Sequence, residues 1–333
     1  MSRPKQTFRL SLAYNSSYTD LALEVREQLV YGGQREIPGV AFREKRMGRL
    51  TISEVDIFSP EGAKAMGKPM GRYITIEAPG LKNRDRALVQ EVSQQLTDQL
   101  VTLMNIPPTA SVLVVGLGNW KATPDSLGPK VINRLLVTRH LHDYVPRELA
   151  GRLRAVSAMA PGVLGTTGME TKDIIEGICA KLNPDLVIAV DALAARSVDR
   201  IITTVQLSNA GIHPGSGVGN RRAGLNILTL GRPVIALGVP TVVSAITIAL
   251  DSIDALTDYL QRQGHNYGFL EALSDQQKRQ LIYEVLDPMG ANLMVTPKEI
   301  DMYIEELAVI LSGALNAALH PGISEEQISQ YIM

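Results

Sequence analysis

The stretch "PDLVIAVDALAARS", residues 184–197, decides the fold class because it runs a buried strand into an aspartate. Five of the six residues from Leu186 to Asp191 are apolar and do not alternate with polar ones, which is typical of a strand covered on both faces. We expect this strand to end at Asp191. A lone ionised carboxylate is costly in apolar surroundings, so Asp191 is expected to be paired, protonated or functional.

Further apolar strands alternate with helices around this stretch. The segments "ASVLVVGLGNW", 110–120, and "RPVIALGVP", 232–240, have the composition of strands, whereas 171–184 and 244–263 have helical periodicity. This order predicts an α/β fold with a mostly parallel twisted sheet, helices on both faces and smaller peripheral elements. Earlier in the chain, two more strands and one amphipathic helix are expected at 50–58, 71–80 and 84–104.

The composition is that of a globular protein and excludes several classes of partner. The chain has 333 residues, of which 45% are hydrophobic and 20% charged. Its 33 basic and 34 acidic side chains create no overall field that would attract nucleic acid or a membrane surface. We recognise no signal peptide and no apolar run of about 18 residues, so no membrane partner is expected. The single cysteine, Cys179, lies in an apolar helical pattern, which favours a buried structural thiol and a reducing, intracellular compartment.

Two aspartates are expected at the carboxyl ends of neighbouring strands, where sites gather in parallel sheets. Asp191 ends one strand, and Asp125 lies in the loop "GLGNWKATPDSLGP", residues 116–129, which follows another. For each aspartate, helix capping is the alternative interpretation. Two carboxylates close together raise the pKa of one of them, so that one carries a proton while the other acts as a base. The pair would then suit the hydrolysis of a peptide or ester bond.

The third loop is "SNAGIHPGSGVGNRRAG", residues 208–224, whose glycines could hold a phosphate or an extended peptide. His213 is a candidate base or metal ligand, although a structural histidine is the more common case. Arg221 and Arg222 could attract an acidic side chain of a substrate. Ser216 lacks the strand-then-helix context of a serine nucleophile.

Cofactor binding is poorly supported by the motifs. The glycines at 116–121 only partly match a dinucleotide fingerprint, because its third glycine would fall at Lys121. His140, His142 and Asp143 form a cluster that we interpret as a helix cap or surface group rather than a metal site. We therefore expect no cofactor and no metal. A nucleotide- or phosphate-binding module and a metal-dependent maturation peptidase remain as alternatives.

Five long motifs follow one another along the chain: "VLVVGLGNWKATPDSLGPKVINRLLVTRHL", "APGVLGTTGMET", "PDLVIAVDALAARS", "TTVQLSNAGIHPGSGVGNRRAG" and "PVIALGVPTVV". Together they closely resemble the germination protease of spore-forming bacteria. The resemblance implies an unusual aspartic endopeptidase that cleaves small acid-soluble spore proteins, is made as an inactive zymogen, forms homotetramers and acts in the cytoplasm of the forespore or spore core. It also implies a fold similar to that of hydrogenase maturation proteases, with the two family aspartates at Asp125 and Asp191.

The same resemblance implies that the chain removes a propeptide by self-cleavage after an acidic residue. In this sequence "SYTDLALE" occupies that place, so the bond between Asp20 and Leu21 is the expected processing site. We therefore divide the chain into a propeptide, 1–20, and a single α/β protease domain, 21–333, with its core at about 109–260. Cleavage after an acidic residue favours a cationic subsite. Arg196 is the first candidate for that subsite, with Arg221 and Arg222 as the next.

Overall fold

The computed structural model describes residues 19–31, 36–144, 153–216, 222–263, 275–286 and 293–323. Within these residues nine strands form one sheet in the order β1-β2-β3-β7-β8-β6-β4-β5, with β9 paired to β8. The strands are β1 (Val40–Met47), β2 (Leu50–Ile57), β3 (Gly71–Glu77), β4 (Val112–Gly116), β5 (Val156–Met159), β6 (Leu186–Ala195), β7 (Thr204–Ser208), β8 (Val234–Ser244) and β9 (Met294–Val295).

The sheet has a parallel half and an antiparallel half. Strands β5, β4, β6 and β8 run parallel to one another. Strands β7, β3, β2 and β1 extend the sheet from β8 as successive antiparallel pairs. The α/β class is confirmed, but the sheet as a whole is mixed rather than mostly parallel. An apolar strand only indicates burial on both faces, and the antiparallel strand β7 meets that condition as well as a parallel one does.

Helices cover both faces of the sheet, as predicted. Apolar side chains of β4 and β6 alternate between two clusters, so that Val114 and Ile188 lie in one and Val115 and Ala189 in the other. The first cluster also contains side chains of Arg86–Met104, Leu127–Ile132 and Ile300–Leu319, and the second those of Thr171–Leu182 and Ile227–Leu230. The other described α-helices are Ala22–Tyr31, Pro60–Met66, Leu164–Thr167, Ala245–Arg262 and Asp275–Leu286. Short 3-10 helices span Pro79–Asn83, Thr123–Asp125, Arg139–Tyr144 and Val198–Arg200.

Strand β6 does not end at Asp191, which corrects the expectation from the sequence. It continues to Ala195 and stays paired with β8 as far as Ala195 opposite Val243. Strand β4 ends earlier, with Gly116 opposite Val190. One edge of β6 therefore loses its β4 partner from Asp191 onward, and this edge faces the candidate site.

The C-terminal helix, Ile300–Leu319, is the one described helix that is long and apolar enough to cross a membrane by composition. In this fold 61% of its apolar window is buried, mostly against the helix Arg86–Met104 and the helix Leu127–Ile132. It therefore has the environment of a core helix. The expected burial of Cys179 is confirmed, since its thiol lies in the second cluster with its pKa raised by desolvation.

Candidate active site

Asp191 lies inside strand β6, at the first position beyond the end of β4. Its backbone pairs with Gly238 of β8, and its side chain points to the same face as Leu193 and Ala195, because side chains alternate along a strand. The residue is 6% exposed. Its carboxylate accepts a hydrogen bond from the Ala192 N–H at 2.9 Å and caps no helix. The capping alternative therefore does not explain this aspartate.

Asp125 reaches the same region from the loop that follows β4. The Asn119 N–H donates to its carboxylate at 2.9 Å, so this side chain closes the loop instead of capping the next helix. Gly118, at φ +109°, makes the close approach possible, since a Cβ there would lie 2.0 Å from the Asp125 carbonyl oxygen. Gly128 brings the following helix against β6, because its Cβ would lie 2.6 Å from the Val190 carbonyl oxygen. That helix spans Leu127–Ile132.

The two aspartates line one cavity of about 540 Å³, together with Asp20. Burial raises the pKa of Asp125 to about 6. Burial raises the pKa of Asp191 well above its usual range, and the nearby charges of Asp125 and Asp20 raise it further. Of the pair, Asp191 therefore holds a proton more readily, and Asp125 is the carboxyl that is ionised at neutral pH.

The predicted processing segment lies along the free edge of β6. The Asp20 N–H donates to the Ala194 carbonyl at 2.9 Å, and the Ala194 N–H donates to the Asp20 carboxylate at 2.9 Å. The other carboxylate oxygen of Asp20 accepts a hydrogen bond from the Ser216 hydroxyl. The side chain of Leu21 is fully buried against Leu193 and Ala195, on the strand face that carries Asp191. The bond between Asp20 and Leu21 is therefore held beside this aspartate.

The main chain on both sides of that bond is held as well. The carbonyl oxygen of Asp20 accepts hydrogen bonds from Lys68 Nζ at 2.8 Å and from Gln206 Nε2 at 3.1 Å. Gln206 Oε1 accepts from the Ala22 N–H at 2.8 Å. The Leu21 N–H donates to Thr19 Oγ1 at 3.1 Å. Each of these backbone groups thus has a fixed partner.

The helix Ala22–Tyr31 is anchored to the end of β6 by a buried glutamate. Glu24, 2% exposed, accepts hydrogen bonds from the N–H groups of Arg196 and Ser197 at 2.7 and 2.9 Å. Arg200 lies 3.5 Å from Glu24 and pairs with Glu27 and Glu77 at 2.6 and 2.8 Å. These contacts come from residues after the predicted processing bond, so they do not involve residues 1–20.

The predicted substrate-binding cations and histidine occupy different places. Arg222 lines the aspartate cavity and lies 3.4 Å from Glu170. Arg196 pairs with Asp251 at 3.2 Å and lines neither that cavity nor the neighbouring one. His213 lines the neighbouring cavity, about 640 Å³ in volume, next to Ser216. Arg221 lies outside the described residues.

Within the described part of the chain, no three His, Cys, Asp or Glu side chains form a group that could hold a metal ion. His140 belongs to the 3-10 helix Arg139–Tyr144, whereas the side chains of His142 and Asp143 are not described. His320 is fully buried with its Nε2 at 3.1 Å from the Leu136 carbonyl oxygen, and burial lowers its pKa. This histidine is therefore a core residue.

Three residues that touch Asp20 were missed as functional candidates from the sequence: Lys68, Gln206 and Ser216. Lys68 lies in a Gly/Pro-rich connection between strands, which carries no catalytic pattern. Gln206 offers the clearest signal, since it is a glutamine inside the buried strand "TVQLS". Ser216 was considered only as a nucleophile, and the structure gives its hydroxyl a carboxylate partner instead.

Comparison with known proteins identifies the class of this protein, which is an endopeptidase. The family model of the germination proteases matches residues 18–267 and 259–332. The chain belongs to the germination protease family. It is 50% identical to the germination protease of Caldanaerobacter subterraneus subsp. tengcongensis over 318 residues, covering 94% of this chain and 97% of the relative. It is 44% identical to that of Priestia megaterium over 365 residues, covering 97% and 98%.

A third relative is the germination protease of Bacillus subtilis, 44% identical over 354 residues that cover 94% of this chain and 96% of the relative. Among solved structures, the chain is similar to the [NiFe] hydrogenase maturation protease HycI from Thermococcus kodakarensis KOD1. That similarity has a TM-score of 0.33 and 17% identity, and covers 65% of this chain and 97% of the other. The α/β class rests on the sheet described above.

Proposed function

We propose that the chain starts the degradation of small acid-soluble spore proteins during germination, with Asp125 and Asp191 as its acid/base pair. The observation that carries this proposal is their common cavity beyond the end of β4, in which both carboxyls have raised pKa values. Raised carboxyl pKa values in a cleft are typical of acid/base catalysts. The family membership supports a protease of spores, and the acid pair supplies its chemistry.

The two aspartates have different tasks in this proposal. Asp125, ionised near neutral pH, takes a proton from water while the oxygen of that water bonds to the carbonyl carbon. Asp191, more deeply buried, gives its proton to the departing nitrogen as the carbon–nitrogen bond breaks. The products are a carboxyl group and an amine, and the proton taken up by Asp125 restores the pair by transfer to Asp191.

The chain is proposed to be a zymogen that cleaves itself between Asp20 and Leu21. Asp20 lines the aspartate cavity, and Leu21 packs on the strand face that carries Asp191. Residues 1–20 form the propeptide and 21–333 one protease domain with its core at about 109–260. Lysine and glutamine contacts to the Asp20 carbonyl support this bond as the one presented for cleavage.

The experiment is substitution of each aspartate by asparagine, which keeps the shape and removes the titrating group. Asp125→Asn and Asp191→Asn are each expected to lower the cleavage of a small acid-soluble spore protein by about 10²- to 10⁴-fold and to stop self-cleavage. Asp199→Asn is the matched control, because this aspartate is exposed and only eight residues beyond Asp191. Near wild-type cleavage by either dyad variant, with normal unfolding behaviour, would show that the dyad is wrong.

Further experiments test the two alternative functions, a metal-dependent peptidase and a phosphate-binding module. A chelator is expected to leave cleavage unchanged. Loss of cleavage when the chelator is added would favour the metal-dependent peptidase. Binding of a nucleotide in a calorimetric titration would favour the phosphate-binding module.

The proposed homotetramer is expected to have about four times the 36.2 kDa chain mass by light scattering. The proposed location, the forespore cytoplasm and later the spore core, is checked by fractionating sporulating cells.

A further inference from the structure

The side chain of Asp20 has a defined binding environment in the uncleaved chain. Its two carboxylate oxygens are occupied separately, one by the Ala194 N–H and one by the Ser216 hydroxyl. Both donors are neutral. Hydrogen bonds to an ionised carboxylate are roughly twice as strong as those between neutral groups, so two such donors can recognise an acidic side chain without a salt bridge.

The main-chain carbonyl of Asp20 has a second and separate set of donors. Lys68 Nζ and Gln206 Nε2 both point at this oxygen, and Gln206 is 8% exposed. A carbonyl oxygen gains negative charge when water adds to its carbon, and positioned donors stabilise that charge. The lysine thus lies where charge would develop during cleavage, whereas the carboxylate is bound by the hydroxyl and the amide.

We infer that these groups form the subsite for the residue before the cleaved bond in every substrate, and not only in the propeptide. Within it, Ser216 recognises the acidic side chain, while Lys68 and Gln206 bind the carbonyl oxygen of the bond to be cleaved. The inference rests on the proposed function, and it moves the recognition of the acid from Arg196, which faces Asp251, to a neutral hydroxyl.

The hydrogen bonds that a carboxylate and an amide side chain can make explain how this subsite selects an acid. A carboxylate has two acceptor oxygens for the two donors, whereas a glutamine or asparagine has one acceptor and one NH₂ group. The Ala194 N–H can only donate, so it must face the amide oxygen, and the NH₂ group would then donate to the Ser216 hydroxyl oxygen. These hydrogen bonds lack the charge of the carboxylate and are weaker, so removing the Ser216 hydroxyl should weaken the binding of acids more than that of amides.

The first test is made in the full-length chain by measuring self-cleavage. Ser216→Ala and Asp20→Asn are each expected to slow the reaction by about 10- to 100-fold, and the double variant should be little slower than either single one. Ser216→Thr, which keeps the hydroxyl, should restore most of the rate. If the two effects multiply in the double variant, the contact does not serve recognition.

The second test uses separate peptides that differ only in Glu or Gln before the bond. Ser216→Ala should lower kcat/KM for the Glu peptide by about 10- to 100-fold and for the Gln peptide by less than about threefold. Lys68→Met should lower kcat by about 10²- to 10³-fold on both peptides. Lys45→Met is the matched control, an exposed lysine on β1 that lines neither cavity, and should behave as wild type.

The outcomes separate this inference from the dyad proposal. Equal losses on both peptides for Ser216→Ala, or a loss confined to self-cleavage, would overturn the subsite even if both dyad variants are inactive. A selective loss on the Glu peptide would support the subsite even if a dyad variant stays active. Thermal unfolding of each variant identifies any loss that comes from misfolding.

Discussion

At the scale of single residues, three acids line one cavity, and they differ in burial and in partners. Asp191 lies on β6 and is buried, whereas Asp125 is half-buried in a loop. Asp20 has the Ala194 amide and the Ser216 hydroxyl as partners. In the proposed mechanism the same functional group is therefore a proton donor, a base or a recognised side chain according to its surroundings.

The raised pKa of Asp125 predicts that this aspartate destabilises the fold at neutral pH. Its folded-state pKa, about 6, lies above the usual carboxyl value, so the cost of ionising it is absent at low pH and grows as pH rises through about 6. Asp125→Asn should therefore gain stability relative to wild type between about pH 4 and pH 7, by about 1 to 3 kcal/mol. Urea unfolding at several pH values measures this gain.

Asp199→Asn serves as the control for that series, because it makes the same substitution at an exposed aspartate. A difference for Asp125→Asn that is constant across the same range would contradict the raised pKa.

The sequence predicted that the two aspartates lie together, but not which residues contact Asp20. Asp125 and Asp191 could be found because each comes after an apolar run of a strand, and neighbouring parallel strands bring such positions to the same edge of the sheet. Lys68, Gln206 and Ser216 contact Asp20 across separations of 48 to 196 residues. Such contacts depend on which strand lies next to which, and the pairing of β3 with β7 and of β7 with β8 leaves no local pattern.

At the scale of elements, the helix Ala22–Tyr31 depends on β6 and on the turn that follows it. Glu24 binds two N–H groups just beyond the end of β6, and Arg200 joins Glu24 to Glu77 on β3. Nearby carboxylates raise the pKa of Arg200, so this guanidinium stays charged although it is largely buried.

Removing that charge should destabilise the fold. Arg200→Met leaves Glu24 buried with fewer partners, and the expected loss is about 3 kcal/mol of unfolding free energy. Arg43→Met is the comparison, because Arg43 pairs with Glu54 at the surface, where ion pairs contribute at most about 1 kcal/mol. Chemical denaturation of the two variants measures both effects. Similar losses of unfolding free energy would show that the buried ion pairs of Arg200 stabilise the fold no more than a surface ion pair does.

Element existence was easier to predict than element length. The apolar runs of β4, the first half of β6 and β8 were recognisable, whereas β1 is an edge strand with four charged residues in "VAFREKRM". The segment "ALAA" after Asp191 has no strand signal of its own, since alanine is depleted in strands. Its pairing with β8 overrides that preference, and this kind of tertiary contact cannot be seen in a local window.

At the scale of the whole molecule, Asp20 occupies the subsite inferred above for a substrate. The helix that follows keeps its own anchors, through the buried Leu21 and Glu24. A chain that begins at Leu21 is therefore expected to be folded and to cleave spore protein without a processing step. Cleavage of a fluorescent peptide at neutral pH, compared with that by the full-length chain, measures this. A folded but inactive shortened chain would mean that the propeptide does not silence the enzyme by occupying its site.

The free edge of β6 has a consequence for what such an enzyme can digest. Asp20 exchanges two hydrogen bonds with Ala194 there, one of them through its main-chain N–H, so this N–H must have no other partner within the target. Because the N–H groups of a helix already donate hydrogen bonds within the helix, several residues of it must first unfold. The rate of digestion would then follow the opening equilibrium of the target, so that protein bound tightly to a partner is spared until it is released. The protease would in this way digest only those targets that their binding partners have released.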